Sequence, residues 1–139
     1  MQATVKWMDG AMFVGEAGSG HTVVMDGPED LGGRNLGPRP MEMFLLGTGG
    51  CAIYDVLSML RKARQDVKDC RVEIHGERAD AVPAVFTKVT LHFVITGADL
   101  KENHVRRAVE LSAEKYCSAS IMLAAAGVEL SHSFAIEKA

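Results

Sequence analysis

A long, nearly uncharged stretch in the first half of the chain limits the possible folds more than any other feature. Between Glu42 and Arg61 the only charged residue is Asp55. Pro40 suits the first turn of a helix, and Glu42 complements the positive end of the helix dipole there. A helix that is apolar nearly all round is covered on most of its sides. In a chain of 139 residues, the pattern predicts a long central helix and favours its contact with a second subunit.

Three short segments before this helix have the alternation of β-strands. They lie at residues 3–7, 12–14 and 21–25. The hairpin-type turn Asp9-Gly10 separates the first two. Residues 26–40 form a predicted loop, because four glycines and three prolines in that window exclude regular structure. This loop carries Arg34 and Arg39 and leads into the long helix.

The second half of the chain contains strand and helix patterns in a different arrangement. Two strands are predicted at residues 71–77 and 88–96, a helix with its apolar face at 105–116, a short helix at 118–126 and a last strand at 128–136. Asp99 and Glu102 are spaced as a capping box for the first of these helices. The predicted order is βββ-α-ββ-αα-β. This order is typical of an α+β fold and lacks the regular alternation of a doubly wound one.

Length and charge place the chain among single-domain globular proteins. Residues 1–139 suffice for one domain that buries about two-thirds of its unfolded surface. A net charge of -3 gives no electrostatic reason to expect nucleic acid or an anionic membrane as a partner. The uncharged run 43–54 is too short and too glycine-rich to span a bilayer, and no signal segment is visible at the start. We therefore expect a cytoplasmic protein whose three cysteines are normally reduced.

Two of the three cysteines lie in segments expected to be helical and packed. Cys51 is inside the uncharged helix, and Cys117 ends the amphipathic run before the short helix. Neither belongs to a CxxC motif, so a redox centre made from this pair is assembled by folding. Cys51 needs a nearby cation to favour its reactive thiolate form, and the loop arginines Arg34 and Arg39 are the candidates. Glu42 is the candidate to hold such an arginine in place.

Two motifs resemble the segments that carry the thiols of the OsmC/Ohr family, in its YhfA-like branch. The family motifs are Pro40-x-Glu42-x-x-Leu45-Leu46-x-x-x-Gly50-Cys51 and Glu114-x-x-Cys117-Ser118. The resemblance to the branch lies in Gly50-Cys51-Ala-Ile-Tyr-Asp55 and Lys115-Tyr-Cys117-Ser118. The resemblance covers nearly the whole chain, because the element order and the last strand also fit. It implies an OsmC-like fold in which antiparallel sheets pack on the long central helix bearing Cys51. It also implies an intertwined homodimer with two sites at the subunit interface.

The same resemblance implies thiol-dependent reduction of organic hydroperoxides. Cys51 would be the peroxidatic cysteine and Cys117 the resolving cysteine, and a lipoyl-type dithiol would reduce the disulfide between them. No cofactor is implied. The family's activating arginine lies in the early strands, whereas residues 12–16 contain no arginine. Arg34 and Arg39 are the candidates to replace it from the loop.

Two other functions fit the same residues. One is a non-enzymatic dimer that binds a small apolar ligand between its subunits, consistent with the uncharged helix and the missing arginine. The other is a general dithiol–disulfide exchanger, which the absence of a CxxC motif disfavours. No metal site is predicted, because no two histidines or cysteines have the spacing of a structural zinc site. His132 is predicted to be a hydrogen-bonded core histidine, and Gly47, Gly49 and Gly50 are predicted to permit close contact between helices.

Overall fold

A computed structural model describes residues 1–139 and confirms the predicted α+β class and element order. The main elements are β1 (Ala3–Asp9), β2 (Met12–Ala17), β3 (Thr22–Met25), α1 (Pro40–Lys62), β4 (Asp66–Arg78), β5 (Phe86–Ala98), α2 (Glu102–Leu111), α3 (Ser118–Ala125) and β6 (Glu129–Lys138). A 3-10 helix (Glu29–Leu31) lies in the loop before α1, and a π-helical turn (Ser112–Tyr116) follows α2. The residues group into two compact units, Met1–Phe44 and Leu45–Ala139. Each unit has its own three-stranded sheet, and the prediction of a single domain stays a prediction.

The unit Met1–Phe44 contains an antiparallel sheet in which β2 lies between β1 and β3. The turn Gly10-Ala11 joins β1 to β2, one residue later than the predicted Asp9-Gly10 turn, because Asp9 is still part of β1 and pairs with Met12. Gly10 has a φ of 51° there, in the left-handed region that glycine enters without steric cost. The two strands meet at this turn with Asp9 paired to Met12 and Trp7 paired to Phe13, and the pairing is irregular between these two pairs.

The loop after β3 is built around one buried carboxylate, that of Asp26. Its Oδ1 accepts the N–H of Gly27 at 2.8 Å, and its Oδ2 accepts the N–H groups of Arg34 and Leu36, each at 3.2 Å. Burial on its own raises the pKa of Asp26. The three hydrogen bonds and the charge of Arg34 outweigh burial and bring the pKa below its ordinary value of 3.8. Side chain–backbone bonds thus hold a segment that glycines and prolines keep out of regular structure.

The sheet of the unit Leu45–Ala139 has the strand order β4-β5-β6. The strand β5 is central and fully buried at Val89, Leu91, Phe93 and Ile95, the four residues whose alternation predicted the strand. The expectation of antiparallel sheets holds for β4 and β5 but is wrong for β6, which runs parallel to β5. The reason is the connection: two helices separate β5 from β6 and return the chain to the end where β5 began.

The part of α1 in the second unit packs on β4 through one face. Ala52, Val56 and Leu60 are fully buried on that face. At Gly49, an added Cβ would lie 2.5 Å from Cδ1 of Ile74 on β4. Gly49 therefore permits a close helix–strand contact, and the expectation that it serves a helix–helix contact is wrong for this residue.

The opposite face of α1 is exposed in the single chain. Leu46 is 61% exposed and Tyr54 is 73% exposed, and a Cβ added at Gly47 or Gly50 would meet nothing within 4 Å. By length and hydropathy alone, α1 would also pass as a membrane-spanning helix, as core helices of soluble proteins do. Within one chain, the helix is thus covered on one side only, and an apolar surface remains on the other.

The start of α2 differs from the prediction. Its first flanking residue is Lys101, and no side chain caps the helix. The N–H of Lys101 donates instead to Oε1 of Gln65 at 2.8 Å. Asp99 has a φ of 53° and belongs to the turn before the helix, two residues too early to act as its cap. The capping box predicted from Asp99 and Glu102 is therefore wrong, although the helix itself forms.

Candidate functional site

Cys51 lies on α1, two residues after the buried Gly49, and its side chain is partly exposed. The carbonyl oxygen of the next residue, Ala52, accepts a hydrogen bond from the buried hydroxyl of Ser112 at 3.3 Å. Ser112 opens the π-helical turn that leads to Cys117. This hydrogen bond joins the two segments that carry the thiols, although they are distant in sequence.

The π-helical turn decides where Cys117 points. The N–H of Cys117 donates to the carbonyl oxygen of Ser112, five residues earlier, at 2.9 Å. This wider turn rotates the chain relative to an α-helix, and Cys117 is 0% exposed as a result. Tyr116 is exposed instead, so the prediction that it continues the buried face of the helix is wrong. Cys117 then serves as the N-cap of α3, and its Sγ accepts the N–H of Ser120 at 3.4 Å.

The fold brings three potential ligand or redox groups together. The Sγ atoms of Cys51 and Cys117 and a carboxylate oxygen of Asp55 all lie within 4.8 Å of one another. All three cysteines of the chain are free. The two thiols predicted to form a redox pair are therefore neighbours in the reduced protein, and their roles stay predictions.

The surroundings of Cys117 favour its neutral form. Burial is the main cause of its raised pKa, and the neighbouring sulfur of Cys51 raises the pKa further. The hydroxyl and the N–H of Ser120 act in the opposite direction, because they stabilise the thiolate. The net result is a Cys117 thiol whose pKa lies above its ordinary value.

Asp55 is the residue of this cluster that sequence reasoning missed. It lies four residues after Cys51, on the same face of α1. Its Oδ2 is buried without a hydrogen-bond partner, and desolvation raises the pKa of its carboxyl above 3.8. The sequence contained the signal that identifies it. Asp55 is the only charged residue between Glu42 and Arg61, and burying part of an acidic group among apolar residues is unfavourable unless the group has a partner or a function.

The other predicted site residues, Arg34, Arg39 and Glu42, belong to the unit Met1–Phe44. Arg34 forms an exposed ion pair with Asp9 at 3.5 Å, and the guanidinium of Arg39 donates to Oδ1 of Asn35 at 2.7 Å. The carboxylate of Glu42 accepts the backbone N–H of Arg39 at 2.8 Å. This is the N3-to-N-cap half of a capping box at the start of α1. Activation of Cys51 by these residues stays a prediction.

Cys70 is separate from the cluster. It lies on β4, and burial, together with the charge of Asp69, raises the pKa of its thiol to about 11. A thiol of this kind is almost entirely protonated at neutral pH and is correspondingly unreactive. Cys70 therefore provides an internal control for experiments on the other two cysteines.

A cleft of about 720 Å³ lies elsewhere in the second unit. Its lining comes from α2, the π-helical turn, α3 and β6 and includes Glu102, Arg106, Glu110 and His132. The Nε2 of His132 is buried without a hydrogen-bond partner, and burial lowers the pKa of its imidazole. The prediction of a hydrogen-bonded core histidine is therefore wrong for this nitrogen.

The fold and the paired thiols define a small α+β protein with a dithiol assembled from two helical segments. The model of the family described as OsmC-like protein matches residues 32–133, and the chain belongs to this family. Protein YhfA of Escherichia coli (strain K12) is 50% identical over 136 residues, which are 98% of each chain.

Solved structures share the whole fold. A hypothetical protein from Aquifex aeolicus VF5 has a TM-score of 0.85 at 27% identity, covering 99% of this chain and 96% of that one. An organic hydroperoxide resistance protein OsmC from Legionella pneumophila, also described as a predicted redox protein, has a TM-score of 0.72 at 20% identity, covering 97% of each chain. The predicted OsmC-like fold is thereby confirmed.

Proposed function

We propose that the protein is a thiol-dependent peroxidase that reduces organic hydroperoxides with Cys51 and Cys117. One observation carries the proposal: the two sulfur atoms lie within 4.8 Å of each other although they come from separate helical segments. A disulfide forms between such neighbours by small side-chain rotations, without refolding. Membership of the OsmC-like family supports a redox or stress-response role of this kind.

Accessibility decides which sulfur meets the hydroperoxide. Cys51 is partly exposed, whereas Cys117 is buried. Burial and the Cys51 sulfur also raise the pKa of Cys117, so Cys117 is poorly suited to attack first. Cys51 is therefore the peroxidatic cysteine of the proposed reaction, and Cys117 is the resolving cysteine.

The reaction then consists of three balanced steps. The Cys51 thiolate attacks one peroxide oxygen, the O–O bond breaks, and an alcohol leaves with the proton that the thiol gave up, so Cys51 becomes a sulfenic acid. The Cys117 sulfur next attacks Cys51, forming the S–S bond and releasing water. An external dithiol of the lipoyl type reduces the disulfide by thiol–disulfide exchange and is itself oxidised. In the cytoplasm, such reduction keeps the pair in its thiol form.

The description of the Legionella pneumophila relative as an organic hydroperoxide resistance protein supports this class of substrate for the present chain. The surroundings of Cys51 on α1 also support this class of substrate, because the residues flanking Cys51 are uncharged apart from Asp55. An apolar approach suits an alkyl or aryl hydroperoxide better than a charged oxidant.

Thiol titration tests the proposal directly. One equivalent of cumene hydroperoxide should consume two thiols of the reduced wild-type protein within minutes and leave one, and dihydrolipoamide should restore both. Cys51→Ser should lose no thiol as a disulfide, whereas Cys70→Ser should behave as the wild type does. Unchanged thiol counts in the wild type, or equal losses in Cys51→Ser, would contradict the proposal.

We also propose that the protein is a homodimer joined through the exposed face of α1. The apolar side chains of Leu46 and Tyr54 flank Gly47 and Gly50 on this face, and small residues let two helix backbones approach closely. A face of this kind is typical of an interface. Light scattering should give twice the monomer mass for the wild type. Tyr54→Glu should shift it to the monomer, whereas Val82→Glu, at a fully exposed loop residue, should not.

A ligand-binding role is the second candidate, favoured by the cleft at His132. Its volume of about 720 Å³ lies within the usual range of small-molecule sites. Glu102, Arg106 and Glu110 at the lining suit a molecule with a polar edge better than the purely apolar ligand expected from the sequence. A fluorescent probe such as anilinonaphthalene sulfonate should bind the wild type and fail to bind Ala124→Trp, a substitution that fills the cleft. Equal binding to both would remove this candidate.

A further inference from the structure

The Asp55 carboxylate has no assigned part in the proposed peroxidase. Its Oδ2 is buried without a hydrogen-bond partner, and one oxygen of the carboxylate lies within 4.8 Å of both sulfur atoms. We propose that the reduced protein binds a thiophilic divalent cation, with Zn²⁺ as the reference ion, through the Cys51 and Cys117 sulfurs and an Asp55 carboxylate oxygen. Binding of the cation differs from the peroxidase reaction, because no electrons are transferred when the cation binds.

The positions of the three atoms suit such an ion. Zinc binds sulfur at about 2.3 Å and carboxylate oxygen at about 2.0–2.2 Å in a tetrahedral arrangement, so its ligands lie roughly 3.5–4 Å apart. The three atoms already lie within 4.8 Å of one another, and small rotations of the side chains close the difference. Cys51 and Asp55 have the i, i+4 spacing at which one helix face presents two ligands to a single metal. Cys117 supplies the third ligand from a different element.

The chemistry of the donors also suits a thiophilic cation. Thiolate sulfur is the ligand that zinc prefers over the hard cations Mg²⁺ and Ca²⁺. Binding replaces two S–H bonds by Zn–S bonds and releases two protons to the solvent, and it gives the Asp55 carboxylate a positively charged partner. The N–H of Ser120 continues to donate to Cys117 Sγ, as outer hydrogen bonds do at metal sites.

Three protein ligands leave the fourth position of the tetrahedron open to water. Cys51 and Asp55 are partly exposed, whereas Cys117 is buried, so an ion has a route in from the Cys51 side. The spacing of residues along the chain could not reveal this site. Two of its ligands are four residues apart, and the third comes from a segment that only folding places beside them.

A consequence for redox chemistry follows, and this consequence rests on the proposed function. The metal and the disulfide need the same two sulfurs, so each excludes the other. A bound cation therefore protects the reduced thiols from organic hydroperoxide, and oxidation to the disulfide expels the cation.

Titration of the reduced, chelator-treated full-length protein with Co²⁺ and then Zn²⁺ tests the site without any measurement of activity. We expect one Co²⁺ per chain, with thiolate-to-cobalt charge-transfer bands and the visible bands of tetrahedral cobalt, all displaced by Zn²⁺. Cys51→Ser and Cys117→Ser should abolish the charge-transfer bands. Asp55→Asn should weaken Zn²⁺ binding by at least about tenfold, since even the loss of an outer-shell partner costs that much. Cys70→Ser should match the wild type.

Wild-type protein alkylated with iodoacetamide provides a control that needs no substitution and should bind no cobalt. Absence of the bands in the reduced wild type, their persistence in Cys117→Ser, or unchanged affinity in Asp55→Asn would overturn the proposal. Thiol loss to cumene hydroperoxide is measured separately, with and without saturating Zn²⁺. Absence of turnover would then refute the peroxidase and leave the cation titration standing.

Discussion

Two carboxylates in this molecule, one buried and one partly buried, show opposite responses to removal from water. Asp26 lies in the loop after β3 and accepts three backbone N–H groups, and its pKa is lowered overall. Asp55 lies on α1 beside two thiols with one oxygen unpartnered, and desolvation raises its pKa. The hydrogen bonds of Asp26 stabilise the loop around it, whereas the unpartnered oxygen of Asp55 makes this residue a candidate for a functional role.

The largest expected effect is a loss of folding stability when Asp26 is substituted. Asp26→Ala removes the acceptor of three part-buried hydrogen bonds from backbone N–H groups. The loss of three such bonds should lower the urea midpoint more than substitution of Asp55 or Ser120 does. The sole tryptophan, Trp7, belongs to the same unit and reports its unfolding by fluorescence. Asp30→Ala, at an exposed acid of the same loop, is the matched control. Equal midpoints for the two variants would show that Asp26 does not organise the loop.

The second prediction concerns the pH dependence of that effect. Because hydrogen bonding lowers the pKa of Asp26 in the folded protein, its stabilising contribution is complete above the ordinary value of 3.8 and is lost as the pH falls through the lowered pKa. The difference in urea midpoint between the wild type and Asp26→Asn should therefore shrink in acid. A difference that stays constant from neutral pH into acid would show that the carboxylate charge is not what the N–H groups stabilise.

A smaller effect of opposite sign is expected at Asp55 in the reduced, metal-free protein. Desolvation raises the pKa of this carboxyl, so its ionised form costs folding free energy. That cost is absent below 3.8, grows as the pH rises to the raised pKa, and is constant above it. Asp55→Asn should thus raise the thermal midpoint slightly at neutral pH and leave it unchanged in acid. A fall at neutral pH would mean that Asp55 stabilises the fold, as Asp26 does.

The smallest effect concerns Ser120, whose hydroxyl and N–H lower the pKa of Cys117 in the way that N–H groups lower that of Asp26. Ser120→Ala removes the hydroxyl and keeps the N–H, so the pKa of Cys117 should rise further, and alkylation at a given pH should slow by no more than about tenfold. The pH profile of iodoacetamide alkylation, in a Cys51→Ser, Cys70→Ser background, measures this shift. An unshifted profile would assign the whole effect of Ser120 to its N–H.

Most of the fold could be predicted from the sequence because its signals are local. The apolar run after Pro40 predicted α1, and the alternation of residues 88–96 predicted the central strand. The errors arose where long-range contacts decided the outcome. The direction of β6 depends on the path of two helices, and the exposure of Tyr116 depends on a π-helical turn that no residue pattern announced.

The candidate site, like the fold, has features that could be predicted from local sequence and features that depend on long-range contacts. Cys51 and Cys117 could be singled out by their settings and by the family motifs, but their proximity could not be derived from spacing, because it depends on contacts such as the Ser112–Ala52 hydrogen bond. Asp55 could be noticed as the only charged residue between Glu42 and Arg61. Only in the folded chain is its Oδ2 buried without a hydrogen-bond partner, and this property makes Asp55 a candidate site residue.

The sequence by itself determined which segments become helices and strands, which thiols sit in packed surroundings, and to which family the chain belongs. These properties follow from the period of apolar residues and from short motifs, which act over a few residues. The tertiary structure alone decided that two sulfurs and a carboxylate share one small volume, and that Asp26 is satisfied while Asp55 is not. Burial and hydrogen bonding set the charge of these groups, and both depend on residues that the chain brings together only when it folds.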